Sequence, residues 1–139
     1  MNAGVGPLPM ITEENESFWR GGARGRLMIT RCAACGYYIH PSGPVCPKCW
    51  SWDVVPSEVC GQGSIYSFTT SHREWFKSVV PPYVLAVVAL PEQRGLRLTT
   101  RLVDVDIDAV HIGMSVRVVF ERAGDIWRPL FTGVDGKDA

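Results

Sequence analysis

Two C-x-x-C pairs, Cys32-Ala33-Ala34-Cys35 and Cys46-Pro47-Lys48-Cys49, stand ten residues apart in a chain of 139. Each pair can wrap a turn around one metal ion, so together they place four thiolates at the corners of a tetrahedron, the geometry of structural zinc sites. Iron in a redox centre has the same spacing, so the pattern specifies a four-thiolate metal site before it specifies the metal. Such a shell is closed. It leaves no position for water or substrate and therefore supplies no chemistry of its own.

The segment around the pairs is too small to fold by burial alone. Arg26 to Arg31 alternates, with Leu27 and Ile29 on one side, and predicts a strand leading into Cys32. Gly36 suits the tight turn after the first knuckle. Trp50 to Val59 predicts a return strand, closing a ribbon of about 35 residues for which a bound metal would supply on the order of 10 kcal/mol of folding free energy.

Upstream, Gly4, Gly6, Pro7 and Pro9 mark an extended arm. Thr12 then offers an N-cap, Glu13, Glu14 and Glu16 favour a first turn, and Gly21-Gly22 is a stop signal, so a short helix is expected over Glu13 to Arg20. Its Phe18 and Trp19 need an apolar partner, either the ribbon or another protein.

Downstream of Gly61 the pattern is that of strands. Gly63 to His72, Tyr83 to Leu90, Leu96 to Val103, Ser115 to Glu121 and Ile126 to Val134 make five, with at most one helical turn in Asp104 to His111. Five short strands with a longer break before the fourth suit a Greek-key barrel of the OB type, an SH3-like barrel being the alternative. The expected fold is thus mainly β: an arm and short helix over 1–25, a zinc ribbon over 26–60, a five-stranded OB-fold barrel over 61–134 and a tail over 135–139.

Charge and composition limit the function. Fourteen basic residues balance fourteen acidic ones, which argues against a protein devoted to wrapping nucleic acid and ranks a single-stranded nucleic-acid binder second among the readings. The basic residues cluster, however: Arg20, Arg24, Arg26, Arg31 and Lys48 lie between Ser17 and Trp52 with no acid among them. Guanidinium groups bind phosphate bidentately, making Arg20, Arg24 and Arg26 candidates for a phosphate-bearing ligand. No apolar run approaches the roughly 20 residues of a membrane helix. The first ten residues carry no basic side chain, and four cysteines in metal spacing fit a reducing compartment, so a cytoplasmic location is expected. Cys60 is expected to be buried at a strand end, and His40, His72 and His111 to be structural or superficial, since none stands in a recognisable catalytic arrangement. Trp75-Phe76, flanked by Arg73 and Lys77, is the loop expected to line a channel or a partner interface.

Taken in order, Phe18-Trp19, Gly25-Arg26-Leu27, the two C-x-x-C pairs, Gly61-Gln62-Gly63-Ser64-Ile65-Tyr66-Ser67-Phe68, Pro81-Pro82-Tyr83-Val84 and Ile112-Gly113-Met114-Ser115-Val116-Arg117-Val118 resemble a known family. It is that of the acyl-CoA-associated OB-fold proteins with an N-terminal rubredoxin-like zinc ribbon, long catalogued as a domain of unknown function. The resemblance runs from about Glu14 to Phe131, and Trp50 stands where the family often has glycine. It implies zinc rather than iron at Cys32, Cys35, Cys46 and Cys49. It further implies a non-catalytic auxiliary subunit in a hetero-oligomer, with a thiolase-like partner (a thiolase, acyltransferase or steroid side-chain aldolase) or an acyl-CoA hydratase. On that reading acyl-CoA is the shared ligand. Arg20, Arg24 and Arg26 would hold its phosphates, and Phe18, Trp19, Trp75 and Phe76 would line the acyl channel or the partner interface.

Overall fold

The computed structural model describes residues 8–74 and 79–134. Its architecture is a metal-site ribbon set on a closed five-stranded barrel, with one short helix lying across the junction.

The helix α1 occupies Glu16–Arg20, shorter than the expected Glu13 to Arg20. The difference comes from Asn15. Its Oδ1 accepts the Thr12 N–H at 2.7 Å while Thr12 Oγ1 accepts the Asn15 N–H at 3.3 Å, and this reciprocal pair holds residues 13–15 as a turn. At the other end Gly21-Gly22 does not stop the chain. It continues as a 3-10 helix over Gly21–Arg24 and ends at Gly25, whose φ of 71° is the left-handed cap that glycine accepts without steric cost.

The ribbon is a three-stranded antiparallel sheet. Strand β1 (Leu27–Cys32) pairs on one side with β3 (Val54–Val59) and on the other with β2 (Tyr38–Ile39), a two-residue strand too short to be expected from periodicity. One end of this sheet carries the cysteines. The other end is continuous with the main core, because Leu27, Ile29 and Val59 are buried in the same cluster as Ile65, Val84, Val88, Leu98 and Phe131, a cluster that Tyr38 of β2 also joins.

The barrel strands are β4 (Gln62–Ser71), β5 (Tyr83–Ala89), β6 (Arg97–Leu102), β7 (Ser115–Ala123) and β8 (Ile126–Gly133), in the order β4-β5-β6-β8-β7. This is the expected OB-type barrel. In β6 the alternation is nearly strict: Leu98, Thr100 and Leu102 point inward, while Arg97, Thr99 and Arg101 point out. Closure between β6 and β8 is parallel and rests on one register pair, Leu102 with Phe131. Further along, Pro129 has no N–H to donate across, and the buried hydroxyl of Thr100 bonds its carbonyl instead at 2.9 Å. The seam therefore splays open towards Arg97, and α1 rests across β8 and β1.

The turn between β5 and β6 latches ribbon to barrel at two points. Gln93 acts as an extra strand residue on the edge of β2: its Oε1 accepts the Tyr38 N–H at 2.8 Å and its Nε2 donates to the Tyr38 carbonyl at 3.1 Å. Next to it, Glu92 Oε2 accepts the Cys60 N–H at 2.7 Å, in the two-residue link between β3 and β4. Gln93→Ala is expected to cost about 1–2 kcal/mol, the net value of two part-buried hydrogen bonds, and to speed hydrogen exchange at Tyr38 without loss of metal. Unchanged protection of that amide would show that the latch carries no load.

Candidate metal centre and flanking grooves

The hairpin turns after β1 and before β3 bring the four cysteines together. Cys32 and Cys46 are buried, Cys35 and Cys49 exposed, and the four sulfur atoms all lie within 4.8 Å of one another. Cys32 Sγ is 3.6 Å from Cys49 Sγ, and Cys35 Sγ is 3.7 Å from Cys46 Sγ. Sulfurs around a tetrahedral ion with bonds of about 2.3 Å stand about 3.8 Å apart; a disulfide would need about 2.05 Å. The set thus fits a zinc-sized ion. Backbone N–H groups already point at the sulfurs, from Cys35 to Cys32 Sγ and from Lys48 to Cys46 Sγ, both at 3.4 Å.

Electrostatics ask for a cation as well. The N–H groups of Cys35 and Ala34 outweigh burial and lower the Cys32 thiol to about 6. Burial alone would raise Cys46, yet the N–H groups of Cys49 and Lys48 bring it below its ordinary value. The Ser51 N–H also lowers Cys49, but burial and the three neighbouring sulfurs push it up to about 12. Four crowded thiols cannot all ionise unaided, and a dication supplies the missing positive charge.

Gly36 has the positive φ, 84°, that the first knuckle was expected to need. Trp50 occupies the equivalent place after the second, at φ 66°. There it donates its N–H to the Cys46 carbonyl at 2.9 Å, in a conformation that glycine would adopt more cheaply. Trp50 and Trp52 are 74% and 75% exposed, so neither indole is held in place by burial.

Arg20, Arg24 and Arg26 are brought together. They line one groove of about 420 Å³ on the outer side of α1, with Met28 and Pro56 as its floor. They are not equally available: Arg20 bonds Glu16 at 2.6 Å and Asp125 at 3.0 Å, Arg26 faces Glu58 at 3.8 Å, and Arg24 has no ion pair among the described residues. Phe18 and Trp19 lie on the opposite side of the same helix, in a larger cleft of about 630 Å³. Phe18 packs against the core and meets Trp19 edge-on at 4.9 Å and His40 at 5.0 Å. Burial lowers the His40 pKa, which keeps the imidazole neutral at physiological pH. Trp75 and Phe76 fall outside the described residues.

Cys60 corrects an expectation: its side chain is exposed, not buried. The link between β3 and β4 runs over the surface of the junction, where Glu92 accepts the Cys60 N–H and the thiol lies 3.8 Å from the Gln62 carbonyl. Partial desolvation and the Glu92 carboxylate raise the thiol pKa, which makes it a poor nucleophile. Arg97, Arg128 and Pro41 line the cleft without a local signal in the sequence, and His40, expected to be structural or superficial, lines it with them. The alternation of β6 marks Arg97 as outward-facing, but which surface it borders depends on where α1 docks.

A four-thiolate ribbon on an OB barrel defines a class of zinc-ribbon and OB-fold proteins, and comparison with known proteins narrows it. Residues 19–55 match the family described as the ChsH2 rubredoxin-like zinc ribbon domain, and residues 57–121 match the ChsH2 C-terminal OB-fold domain. A DUF35 domain-containing scaffold protein of Methanothermobacter thermautotrophicus is 33% identical over 116 residues, covering 81% of this chain and 85% of that protein. The chain belongs to the DUF35 family of zinc-ribbon and OB-fold proteins. Two longer relatives are the "Probable enoyl-CoA hydratase alpha subunit" of Thermomonospora curvata, 41% identical over 79% of this chain, and the 3-oxo-4,17-pregnadiene-20-carboxyl-CoA hydratase alpha subunit of Mycobacterium tuberculosis, 33% identical over 81%. The matched regions cover 34% and 35% of those subunits, so the chain spans about a third of their length. Among solved structures, a chain of the Ltp2-ChsH2(DUF35) aldolase is 37% identical with a TM-score of 0.82, over 91% of this chain and 98% of that one. Among the described residues no helix is long and apolar enough to cross a membrane.

Proposed function

We propose that this chain is a non-catalytic auxiliary subunit that binds a thiolase-like enzyme, of the thiolase, acyltransferase or retro-aldolase type, and helps form its acyl-CoA site. The likeness that carries this reading is the match along 98% of a chain in an aldolase complex; the scaffold name of the archaeal relative agrees with it, and the hydratase names put acyl-CoA hydratases among the candidate partners. The metal is zinc, and its role is structural, since all four positions of the thiolate shell are taken by the chain itself. The shape of the α1 region suits a shared acyl-CoA. The arginine groove offers guanidinium groups for phosphates, Arg24 and Arg26 foremost because Arg20 is already paired twice. Phe18 and Trp19 offer an apolar surface to the acyl end on the other side of the helix.

The test is co-expression with a candidate catalytic subunit. A single complex on gel filtration is expected, turning over its acyl-CoA only when both chains are present. Turnover by the isolated chain would overturn the auxiliary role. Within the complex, the double change Arg24→Ala, Arg26→Ala is expected to weaken acyl-CoA binding about tenfold or more at low salt, the value of one or two charge-assisted hydrogen bonds. Equal affinity would remove these arginines from the site.

A further inference from the structure

The shell of four thiolates is closed at the ion but not at every sulfur. Cys32 and Cys46 are buried, while the Cys35 and Cys49 side chains reach the surface. A thiol bound to a dication is deprotonated outright, so an exposed ligand keeps thiolate lone pairs at neutral pH. The free thiol of Cys60, also at the surface, is held protonated instead.

Backbone hydrogen bonds distinguish the two exposed ligands. N–H groups point at Cys32 Sγ from Cys35, at Cys46 Sγ from Lys48 and at Cys49 Sγ from Ser51. Among the described residues Cys35 Sγ has no such N–H, and its near neighbour is Cys46 Sγ at 3.7 Å. An N–H bonded to a thiolate stabilises its charge and makes the lone pair a weaker nucleophile. The chain around each ligand acts in the same direction. Cys35 stands between the exposed Ala33-Ala34 and Gly36, which offer little cover, whereas Cys49 stands between Lys48 and Trp50. Cys35 thus combines access, charge and an untied lone pair, with a second thiolate directly behind it.

We propose that Cys35 is an oxidation site for a hydroperoxide and Cys46 its resolving thiol, so that the oxidant empties the metal centre through a Cys35–Cys46 disulfide. The Cys35 thiolate forms an S–O bond to one peroxide oxygen as the O–O bond breaks, giving a sulfenic acid and a hydroxide. The Cys46 thiolate is too buried to meet the oxidant itself. It then forms the S–S bond to Cys35 as the S–O bond breaks and a second hydroxide leaves. Two thiolates lose two electrons, and one peroxide gains them. Cys32 and Cys49 alone remain where the ion needs four ligands, and the site empties. The knuckles then loosen, because the folding free energy that the ion supplied is lost with it. The oxidation needs no partner subunit, so it stands apart from the auxiliary role.

The test exposes the zinc-loaded full chain to hydrogen peroxide with a chromophoric zinc chelator present. One zinc should appear with each disulfide formed, at least about tenfold faster than with chelator alone, and peptide mapping should find Cys35 joined to Cys46. Dithiothreitol and added zinc should then refill the site. Limited alkylation of the zinc-loaded chain with iodoacetamide should mark Cys35 about tenfold faster than Cys49, the effect of one hydrogen bond to a charged group, and ahead of Cys60. Cys60→Ser, outside the ligand set, should release zinc at the parent rate. A first label on Cys49 or Cys60, or slower release from Cys60→Ser, would overturn Cys35 as the point of attack. A disulfide between any other pair would overturn Cys46 as the resolving thiol. Zinc retained after peroxide treatment would overturn the site itself.

Discussion

Replacing Cys46 with serine is expected to release the metal and unfold the knuckle end of the ribbon while the barrel stays folded. Cys46 is fully buried, and among the described residues the cluster around it contains only Cys32 and Ile39 as further buried members, edged by Tyr37 and Val54. So small a cluster cannot repay the chain entropy of two knuckles. The metal does, with a binding free energy on the order of 10 kcal/mol or more that is itself folding free energy. A serine hydroxyl is a hard and rarely ionised ligand and does not replace a thiolate. The barrel is insulated because Leu27, Ile29 and Val59, on the barrel side of the ribbon, are buried in its own core. Metal analysis should show less than one ion per chain, and hydrogen exchange should rise over the two knuckles, residues 33–36 and 46–51, but not in β5 or β8. A variant that retains a full metal equivalent and native protection would show that three cysteines suffice.

The change Gly22→Ala is expected to destabilise the protein by about 1–3 kcal/mol or more, although it adds one methyl group to a short helical turn, where alanine is ordinarily favoured. A Cβ at this position would stand 2.4 Å from Trp127 Cβ and 2.6 Å from Phe120 Cδ1. The clash with Trp127 cannot be relieved by rotation, because a Cβ atom moves only with its backbone. The 3-10 turn must lift from β7 and β8, and α1, which rests on β8, loses its seat. Thermal unfolding should shift down by roughly 5–15 °C. A variant as stable as the parent would mean that the close approach can relax.

These two positions show what a sequence conveys and what it withholds. Cysteine spacing is a local constraint: the reach of a C-x-x-C turn and the preference of a metal for four thiolates require no knowledge of the rest of the chain, and the set at Cys32, Cys35, Cys46 and Cys49 was legible at once. The barrel strands were equally legible, because β6 and its neighbours carry a two-residue alternation that survives whatever packs on them. Strand β2 was not. Two residues hold no period, and Tyr38–Ile39 is a strand because β1 on one side and the Gln93 amide on the other complete its hydrogen bonds.

The helix end and Cys60 depart from their local patterns for a related reason. Gly21-Gly22 is a stop signal in isolation, but Gly22 is the residue that lets the chain press against Phe120 and Trp127, so tertiary contact carries the helical turn onward to Arg24. Cys60 follows a buried valine and reads as a core residue, but the link to the barrel turns its side chain outward.

The sequence by itself determined the metal site, the mainly β class and the arginine cluster, because each depends on residues near one another in the chain. Only the tertiary structure decided that Arg20, Arg24 and Arg26 share one groove while Phe18 and Trp19 border another, and that Arg97 and Arg128 complete the second. The physical reason is the seam: where Pro129 cannot donate and β6 and β8 part, a surface opens whose walls come from residues about 80 to 110 positions away from α1, and nothing in their local pattern records that they meet.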